Sequence, residues 1–221
     1  MDIFDILAKY RGEFLQGLLV TLKLCLLIWP IGILVGTALG AAGARWKVGI
    51  GLPSKVISFT LSGIPILVFL FWLHYPLQSL LGIVVQPFYT AVAALSIVNT
   101  LLVADLIRGV LNDFPNQYVM AAQVCGLSHR QTVLQIQLPI IFRQVLPNLL
   151  LIQVTMLQAT LFASLISVDE IFRIAQRINS EVYRPVEIYT ALAVLFLAVC
   201  LPMHGIAYWL KARFTRDLSE R

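Results

Sequence analysis

Residues 24–44 read LCLLIWPIGILVGTALGAAGA, and this stretch contains no Asp, Glu, Lys or Arg. A helix that crosses a bilayer needs about 20 mostly apolar residues. Residues 144–168 and 188–210 form two more uncharged stretches of at least that length, and residues 56–104 form one long enough for two spans. The chain is therefore expected to cross a membrane several times.

The long stretch is expected to turn near its middle, because Pro76, Gly82 and Pro87 lie there and such residues break helices. The pattern thus predicts an all-α membrane protein with five transmembrane helices. The predicted spans cover about residues 14–44, 54–75, 84–111, 144–168 and 186–211.

Composition excludes an ordinary soluble domain. Of the 221 residues, 59% are hydrophobic and only 12% are charged, against about 25% charged in typical soluble domains. The net charge of +5 is typical of the basic inner loops of membrane proteins. No basic run interleaved with aromatic residues indicates a nucleic-acid partner, so membrane lipid is the expected surrounding.

The distribution of charge predicts that the N-terminus is outside and the C-terminus inside. In that topology the inner basic residues are Arg45, Lys47, Lys55, Arg108, Arg130, Arg143, Lys211, Arg213, Arg216 and Arg221. The outer segments hold fewer basic residues and most of the acidic ones, among them Asp2, Asp5, Glu13, Asp169, Glu170, Glu181 and Glu187. Residues 2–13 are expected to form a short amphipathic helix on the outer surface.

Signatures of catalysis and metal binding are absent from the sequence. There is no Gly-Lys dipeptide, so the chain has no P-loop for a nucleotide, and no G-x-S-x-G or H-E-x-x-H motif. Cys25, Cys125 and Cys200 show no metal-ligand spacing with the three histidines. We expect no catalytic residue, metal or cofactor in this chain, and a pathway that needs another subunit.

Residues 113–139 predict a helical pair between the third and fourth spans. Pro115 and Asn116 open a short helix, Gly126 ends it, and Ser128 caps a second helix that is expected to stop before Pro139. Such a segment is too long and too ordered for a plain connector.

This segment resembles the permease subunits of ABC importers, whose motif reads E-A-A-x-x-x-G and, after nine further residues, I-x-L-P. The matching residues are Met120, Ala121, Ala122, Gly126, Ile136, Leu138 and Pro139, with Leu127 after the glycine. Further matches are residues 17–22 (GLLVTL), 62–67 (SGIPIL), 104–109 (ADLIRG) and 172–175 (FRIA). Across nearly the whole chain they resemble the polar amino acid uptake family, of the histidine and glutamate permease type.

The resemblance implies a type I importer permease in the inner membrane of a bacterium. It implies that residues 113–139 dock on a separate ATPase dimer, which holds ATP and Mg²⁺. It also implies a second permease subunit, identical or related, and an extracytoplasmic substrate-binding protein. The transported solute would be a polar amino acid or a related small molecule.

The chain departs from the family pattern at three places. Met120 replaces the motif's Glu, and Ser62 replaces an Arg at the second span. In the fourth span, Gln158 and Ala159 stand where the family often has Lys and Asp. Loss of these charges favours a less polar substrate, or a permease whose partner supplies the binding groups.

Polar side chains within the spans are the candidates for a substrate pathway. They are Asn99, Thr100, Asp105, Gln158, Thr160 and Ser164. Such groups also commonly bond backbone or neighbouring helices, and Asp105 has Arg108 three residues away as a possible ion-pair partner. Gly32, Gly36 and Gly40 predict a close-packing helix face.

A second function stays open from the sequence: a non-transporting scaffold or channel-like subunit whose helix pair binds another cytoplasmic partner. On the outer side, residues 177–184 are placed either to meet a binding protein or simply to face water.

Overall fold

The fold is known from a computed structural model that describes residues 3–219, with side chains described for residues 6–214. Of the charges used for topology, Asp2 and Arg221 lie outside the described residues, and the side chains of Asp5 and Arg216 lie outside the described side chains. Every regular element in the described part is helical, as the sequence predicts.

In chain order the α-helices are α1 (Ile3–Lys9), α2 (Arg11–Arg45), α3 (Leu52–Ser62), α4 (Ile66–His74), α5 (Pro76–Leu81), α6 (Pro87–Asn112), α7 (Asn116–Val124), α8 (His129–Thr132), α9 (Leu138–Ala159), α10 (Ile171–Val182) and α11 (Pro185–Ser219). Wider π-helical turns at Lys47–Gly51 and Val133–Gln137 join α2 to α3 and α8 to α9, and a 3₁₀ segment, Thr160–Ile166, extends α9.

Four helical stretches are long and apolar enough to cross a membrane: Arg11–Arg45, Pro87–Asn112, His129–Ile166 and Pro185–Phe214. A fifth crossing is available if the bent pair Lys47–Ser62 and Ile66–Leu81 counts as one span. The expected turn after this pair is present, because Gly82 ends α5 in a left-handed conformation and Pro87 starts α6.

The expected second span over residues 54–75 is not one helix. The chain bends there by 98° between α3 and α4. Pro65 has no backbone N–H and lies with φ −55° and ψ 135° at the start of α4, and a proline also disfavours helical angles at the residue before it. Gly63 ends α3 just before this break. The Ser62–Leu67 motif is therefore a helix break.

Helix α2 packs closely along α6 through glycines. A Cβ added at Gly36 would lie 2.7 Å from the Thr100 carbonyl oxygen, and one at Gly40 would lie 2.6 Å from the Ala104 carbonyl oxygen. At Gly32 it would overlap the Asn99 side chain. The predicted close-packing face is confirmed, and its glycines set the distance between the two helices.

The expectation that the second helix of the pair stops before Pro139 is wrong. Helix α8 continues through the π turn into α9, so that His129–Ile166 forms one long helix. In the π turn the Leu138 N–H donates to the Val133 carbonyl, one residue further back than in an α-helix. This wider turn makes room for the Pro139 ring, which in a regular α-helix would collide with the preceding turn.

Two of the four apolar clusters among the described residues are larger than the others. One joins α2, α4, α6 and α9 around Leu24, Ile28, Leu95 and Met156, all with 0% exposed area. The other lies under α10, where Ile171 and its apolar neighbours pack against α1, the start of α2 and α11. The expected amphipathic helix over residues 2–13 is shorter than predicted, because α1 ends at Lys9 and α2 begins at Arg11.

Candidate functional site

The first helix of the pair, α7, begins and ends where the sequence predicts. Pro115 precedes it in an extended conformation. At its end Gly126 has φ +75°, which only glycine adopts without cost. The Leu127 N–H then donates to the Ala122 carbonyl at 3.0 Å and the Gly126 N–H to the Gln123 carbonyl at 3.0 Å. Carbonyls at the helix end are thereby satisfied, and the direction of the turn is defined.

Helix α8 starts with a complete capping box. The Gln131 N–H donates to Ser128 Oγ at 3.4 Å, and the Ser128 N–H donates back to Gln131 Oε1 at 2.9 Å. The predicted cap at Ser128 is confirmed. Because α8 continues into α9, the cap lies at the start of a helix long enough to cross a membrane.

Exposure divides the predicted coupling residues into two groups. Ala122 is 2% exposed, and Leu127 and Ile136 are half-buried. The exposed members are Met120, Ala121, Gly126, Leu138 and Pro139. Val124, which the motif does not include, is 88% exposed. The exposed side of the helix pair is thus rich in apolar groups. These groups are available to contact a polypeptide that lies outside the helical bundle.

Asp105 and Arg108 form the ion pair that their spacing allows. Arg108 Nη1 also donates to Ser54 Oγ at 2.7 Å, and Ser58 Oγ donates to Asp105 Oδ2. Sequence reasoning missed these two serines, although their four-residue spacing on α3 places them on one helical face. Asp105 is 40% exposed at its side chain and Arg108 12%, so Asp105 is the more accessible of the two.

Asn99 is fully buried between α2, α6 and α9. Its Nδ2 donates to the Ile28 carbonyl at 3.1 Å and to Gln153 Oε1 at 3.1 Å. Gln153 Nε2 donates back to Asn99 Oδ1 at 3.2 Å. Gln153 was not singled out from the sequence, because nothing local marks it as the partner. Asn99 therefore forms hydrogen bonds with neighbouring helices. The sequence left this role open as the alternative to a place in the substrate pathway.

The other pathway candidates are not brought together. Thr160 and Ser164 are buried, and each hydroxyl donates to the carbonyl three residues earlier at 2.7 Å. Thr100 is half-buried beside Gly36. Gln158 is exposed on α9, where its amide contacts the Cys200 sulfur at 3.9 Å. Among residues 3–219, no three His, Cys, Asp or Glu side chains lie close enough to hold a metal ion.

Comparison with known proteins identifies the family. Residues 28–216 match the family described as the binding-protein-dependent transport system inner membrane component. The chain belongs to this family. It is a permease, a multi-pass component of a bacterial inner membrane, and not the catalytic subunit of its transporter. Membership implies an ATPase and a substrate-binding protein as partners.

Individual relatives agree with this assignment. The permease is 30% identical to the octopine transport system permease protein OccM of Rhizobium meliloti, over 86% of this chain and 82% of that protein. It is 24% identical to the histidine/lysine/arginine/ornithine transport system permease protein HisQ of Salmonella typhimurium, over 93% and 95% of the two chains. A crystal structure of an amino acid ABC transporter with histidines superposes with a TM-score of 0.84 and 26% identity, covering 96% of this chain and 99% of that one.

The permease also carries a buried carboxyl group that sequence reasoning did not single out. Glu170 caps α10, where its carboxyl oxygens accept the N–H groups of Phe172 and Arg173, both at 2.9 Å. Burial raises the pKa of Glu170 to about 7, against the lowering effect of these hydrogen bonds. Arg173 in turn donates to the Ser164 carbonyl at 3.0 Å. The start of α10 is thus tied to the end of the fourth span.

The outward face of α10 is charged. Arg177 Nη2 donates to Glu13 Oε2 at 3.0 Å, which links α10 to the start of α2. Arg184, at the entry to α11, pairs with Glu187 at 3.2 Å. Both arginines remain about half exposed, so they are accessible to a partner and to water alike.

Proposed function

We propose that this permease is the transmembrane subunit of an ATP-driven importer for an amino acid or a related small solute. The names of the relatives support this substrate class: one serves octopine, another histidine, lysine, arginine and ornithine. Gln158 and Ala159, which replace charged residues of the family pattern, favour a less strongly charged solute.

The proposed topology places the N-terminus outside and α7 and α8 in the cytoplasm. Arg130 and Arg143 lie in the first half of the long helix His129–Ile166. Asp169 and Glu181 follow the other end of that helix, and Glu13 lies in the first turn of α2. This distribution follows the enrichment of Lys and Arg in cytoplasmic loops. Helix α10 and its arginines then lie on the side where an extracytoplasmic binding protein delivers the solute.

The observation that carries the proposal is the shape of the helix pair. A left-handed Gly126 and a capping box fix the two helices at the end of a spanning helix, and exposed Met120 and Val124 offer apolar contact area. We infer that this surface docks on an ATPase, whose ATP-driven closure moves the pair as a rigid body. ATP and Mg²⁺ bind in that ATPase.

The assembly proposed is a pair of permeases, identical or related, above an ATPase dimer. Met120 stands where the family motif has Glu, so any ion pair that the Glu makes with the ATPase is replaced here by an apolar contact. The exposed side chain of Met120 suits such a contact.

The test changes the turn between the two helices. Gly126→Val forces a β-branched residue into φ +75°, a conformation that such residues almost never adopt. Gly12→Val is the matched control, because a Cβ at Gly12 or at Gly126 meets nothing within 4 Å and Gly12 has an ordinary helical conformation. We expect Gly126→Val to lose solute uptake and solute-stimulated ATP hydrolysis while staying in the membrane, and Gly12→Val to keep both.

Two results would contradict the proposal. Full uptake by Gly126→Val would refute the docking role of the pair. Purification of the permease with a partner that has no nucleotide-binding motif, in place of an ATPase, would favour the scaffold or channel-like function. Screening amino acids for stimulation of ATP hydrolysis by the reconstituted complex, in the presence of its binding protein, would identify the solute.

A further inference from the structure

An open pocket of about 640 Å³ lies between α3 and α6, near the end of α2. One wall comes from the π turn and α3, the other from the last three turns of α6. Helices α7 and α8 do not line this pocket, whereas Ser62, Asp105 and Arg108 of the family-matching stretches 62–67 and 104–109 do. Its position at the ends of three membrane helices places it where the hydrocarbon core meets water.

The first wall is a continuous stripe. Lys47, Gly51, Lys55, Ser58 and Ser62 line the pocket, and their spacings of three and four residues put them on one helical face. The π turn makes this possible because it brings Gly51 against α2, where an added Cβ would lie 2.5 Å from the Gly43 carbonyl oxygen. The two lysines are thereby held about two helical turns apart along the same edge.

The charged side chains at the floor of the pocket neutralise one another. The carboxylate of Asp105 is paired with Arg108 and accepts the Ser58 hydroxyl, and Arg108 is further held by Ser54. The remaining charged groups that line the pocket are Lys47, Lys55 and, at the water end, Asp113. Both lysines are exposed. The edge of the pocket that this stripe forms is therefore positively charged, and it attracts an anion.

The pocket continues into an apolar groove. This groove has a volume of about 190 Å³ and shares Ser58, Ser62 and Leu102 with the pocket, and Ile66, Phe69 and Leu101 line its far part. A site with cationic side chains at the membrane surface and an adjoining apolar channel matches a molecule with an anionic head and a hydrocarbon tail. A free inorganic anion would leave the channel without an apolar occupant.

We propose that this pocket binds the phosphate head group of an anionic phospholipid, with one acyl chain in the groove. Lys47 and Lys55 contact the phosphate, and the hydroxyls of Ser58 and Ser62 lie beside the glycerol backbone. This inference does not depend on the transported solute or on the role of α7 and α8, because lipid binding is measured directly.

The experiment counts lipids on the purified complex of permease and ATPase by native mass spectrometry. The complex is exchanged into micelles that contain equal amounts of dioleoyl phosphatidylglycerol and dioleoyl phosphatidylcholine. Wild type should retain phosphatidylglycerol selectively. The double variant Lys47→Gln/Lys55→Gln should bind it about 25-fold more weakly, since a lysine at the membrane surface contributes about fivefold to the attraction of anionic lipid.

Two control variants separate the pocket from general surface charge and size. Lys9→Gln/Lys23→Gln removes the same charge from α1 and the first half of α2, outside the pocket, and should leave retention unchanged. Leu102→Trp places a larger side chain at a position that lines both the pocket and the groove. Ile97→Trp places the same side chain on α6 outside both cavities. Leu102 and Ile97 are similarly exposed, at 38% and 41%. Only Leu102→Trp should weaken retention.

Three outcomes would overturn the proposal. Equal retention of phosphatidylcholine would show that the head group is not recognised. Equal loss in the Lys9→Gln/Lys23→Gln control would assign the effect to overall charge. Displacement of the lipid by millimolar glycerol phosphate or inorganic phosphate would identify a site for a free phosphate. Unchanged association with the ATPase in every variant would show that the comparison is between folded complexes.

Discussion

The hydrogen bonds between Asn99 and Gln153 should stabilise the permease measurably, and a double-mutant cycle gives their strength. Both residues are buried, with 0% and 3% exposed area. Two hydrogen bonds join them directly, at 3.1 and 3.2 Å, and a third runs from Asn99 to the Ile28 carbonyl at 3.1 Å. Hydrogen bonds between helices in membranes average about 0.6 kcal/mol each, with a maximum of about 1.7.

The two direct bonds alone therefore give a coupling free energy of about 1.2 kcal/mol between the two side chains, and the cost of an unpaired buried amide in the single variants adds to it. Asn99→Ala removes three bonds, worth about 2 kcal/mol, and leaves the Gln153 amide buried without its partner, which costs about 1–3 kcal/mol more. Gln153→Ala leaves Asn99 with its bond to Ile28 and should cost less. The double variant should be more stable than the sum of the single effects predicts, because the unpaired amide is then gone.

The assay is reversible unfolding of the purified permease by SDS in mixed micelles, followed by loss of helical circular dichroism. Thr155→Ala and Ser62→Ala provide a matched cycle, since both are exposed and each hydroxyl bonds only a carbonyl of its own helix. Their effects should add within about 0.5 kcal/mol. If Asn99→Ala and Gln153→Ala also add within that margin, the proposed energetic link between α6 and α9 is refuted.

Two further predictions concern packing and pH. Gly36→Ala should lower the melting temperature, because its Cβ would lie 2.7 Å from the Thr100 carbonyl oxygen. In the control Gly12→Ala the added Cβ meets nothing within 4 Å, so this variant should raise the melting temperature through helix propensity. A lower melting temperature in both variants would contradict the packing role of Gly36. For Glu170, burial raises the pKa from its ordinary value of 4.5 to about 7. The folded state therefore holds the proton more tightly, and stability falls as pH rises from about 4.5 to about 7 and levels off above 7. Unfolding at pH 8 should cost about 1 kcal/mol less than at pH 6, and Glu170→Gln should remove this difference; an unchanged pH dependence in that variant would contradict it.

Local sequence signals predict the parts of this fold that depend on neighbours in the chain. The glycine face of α2, the end of α7 at Gly126 and the cap at Ser128 each rest on residues within one or two helical turns. The pair of Asp105 and Arg108 is also local, since the residues are three apart. For such features, the residues that determine the local structure are close to one another in the sequence.

Features that depend on distant packing were not predictable in the same way. Gln153 lies 54 residues from its partner Asn99, and nothing near it indicates which polar group it meets. The sequence predicts a helix end before Pro139, because no local signal indicates the π turn that accommodates this proline within a continuous helix. The buried position of Glu170 likewise depends on α10 folding onto α1, α2 and α11.

The long helix from His129 to Ile166 acts geometrically as a lever. Its 38 residues span about 57 Å at 1.5 Å per residue, nearly twice the thickness of the hydrocarbon core, about 30 Å. Gln153, tied to α6 by Asn99, lies about 36 Å from one end and about 20 Å from the other. If the helix tilts about this tie, a displacement at the helix pair reaches the opposite face reversed in direction and reduced to about half.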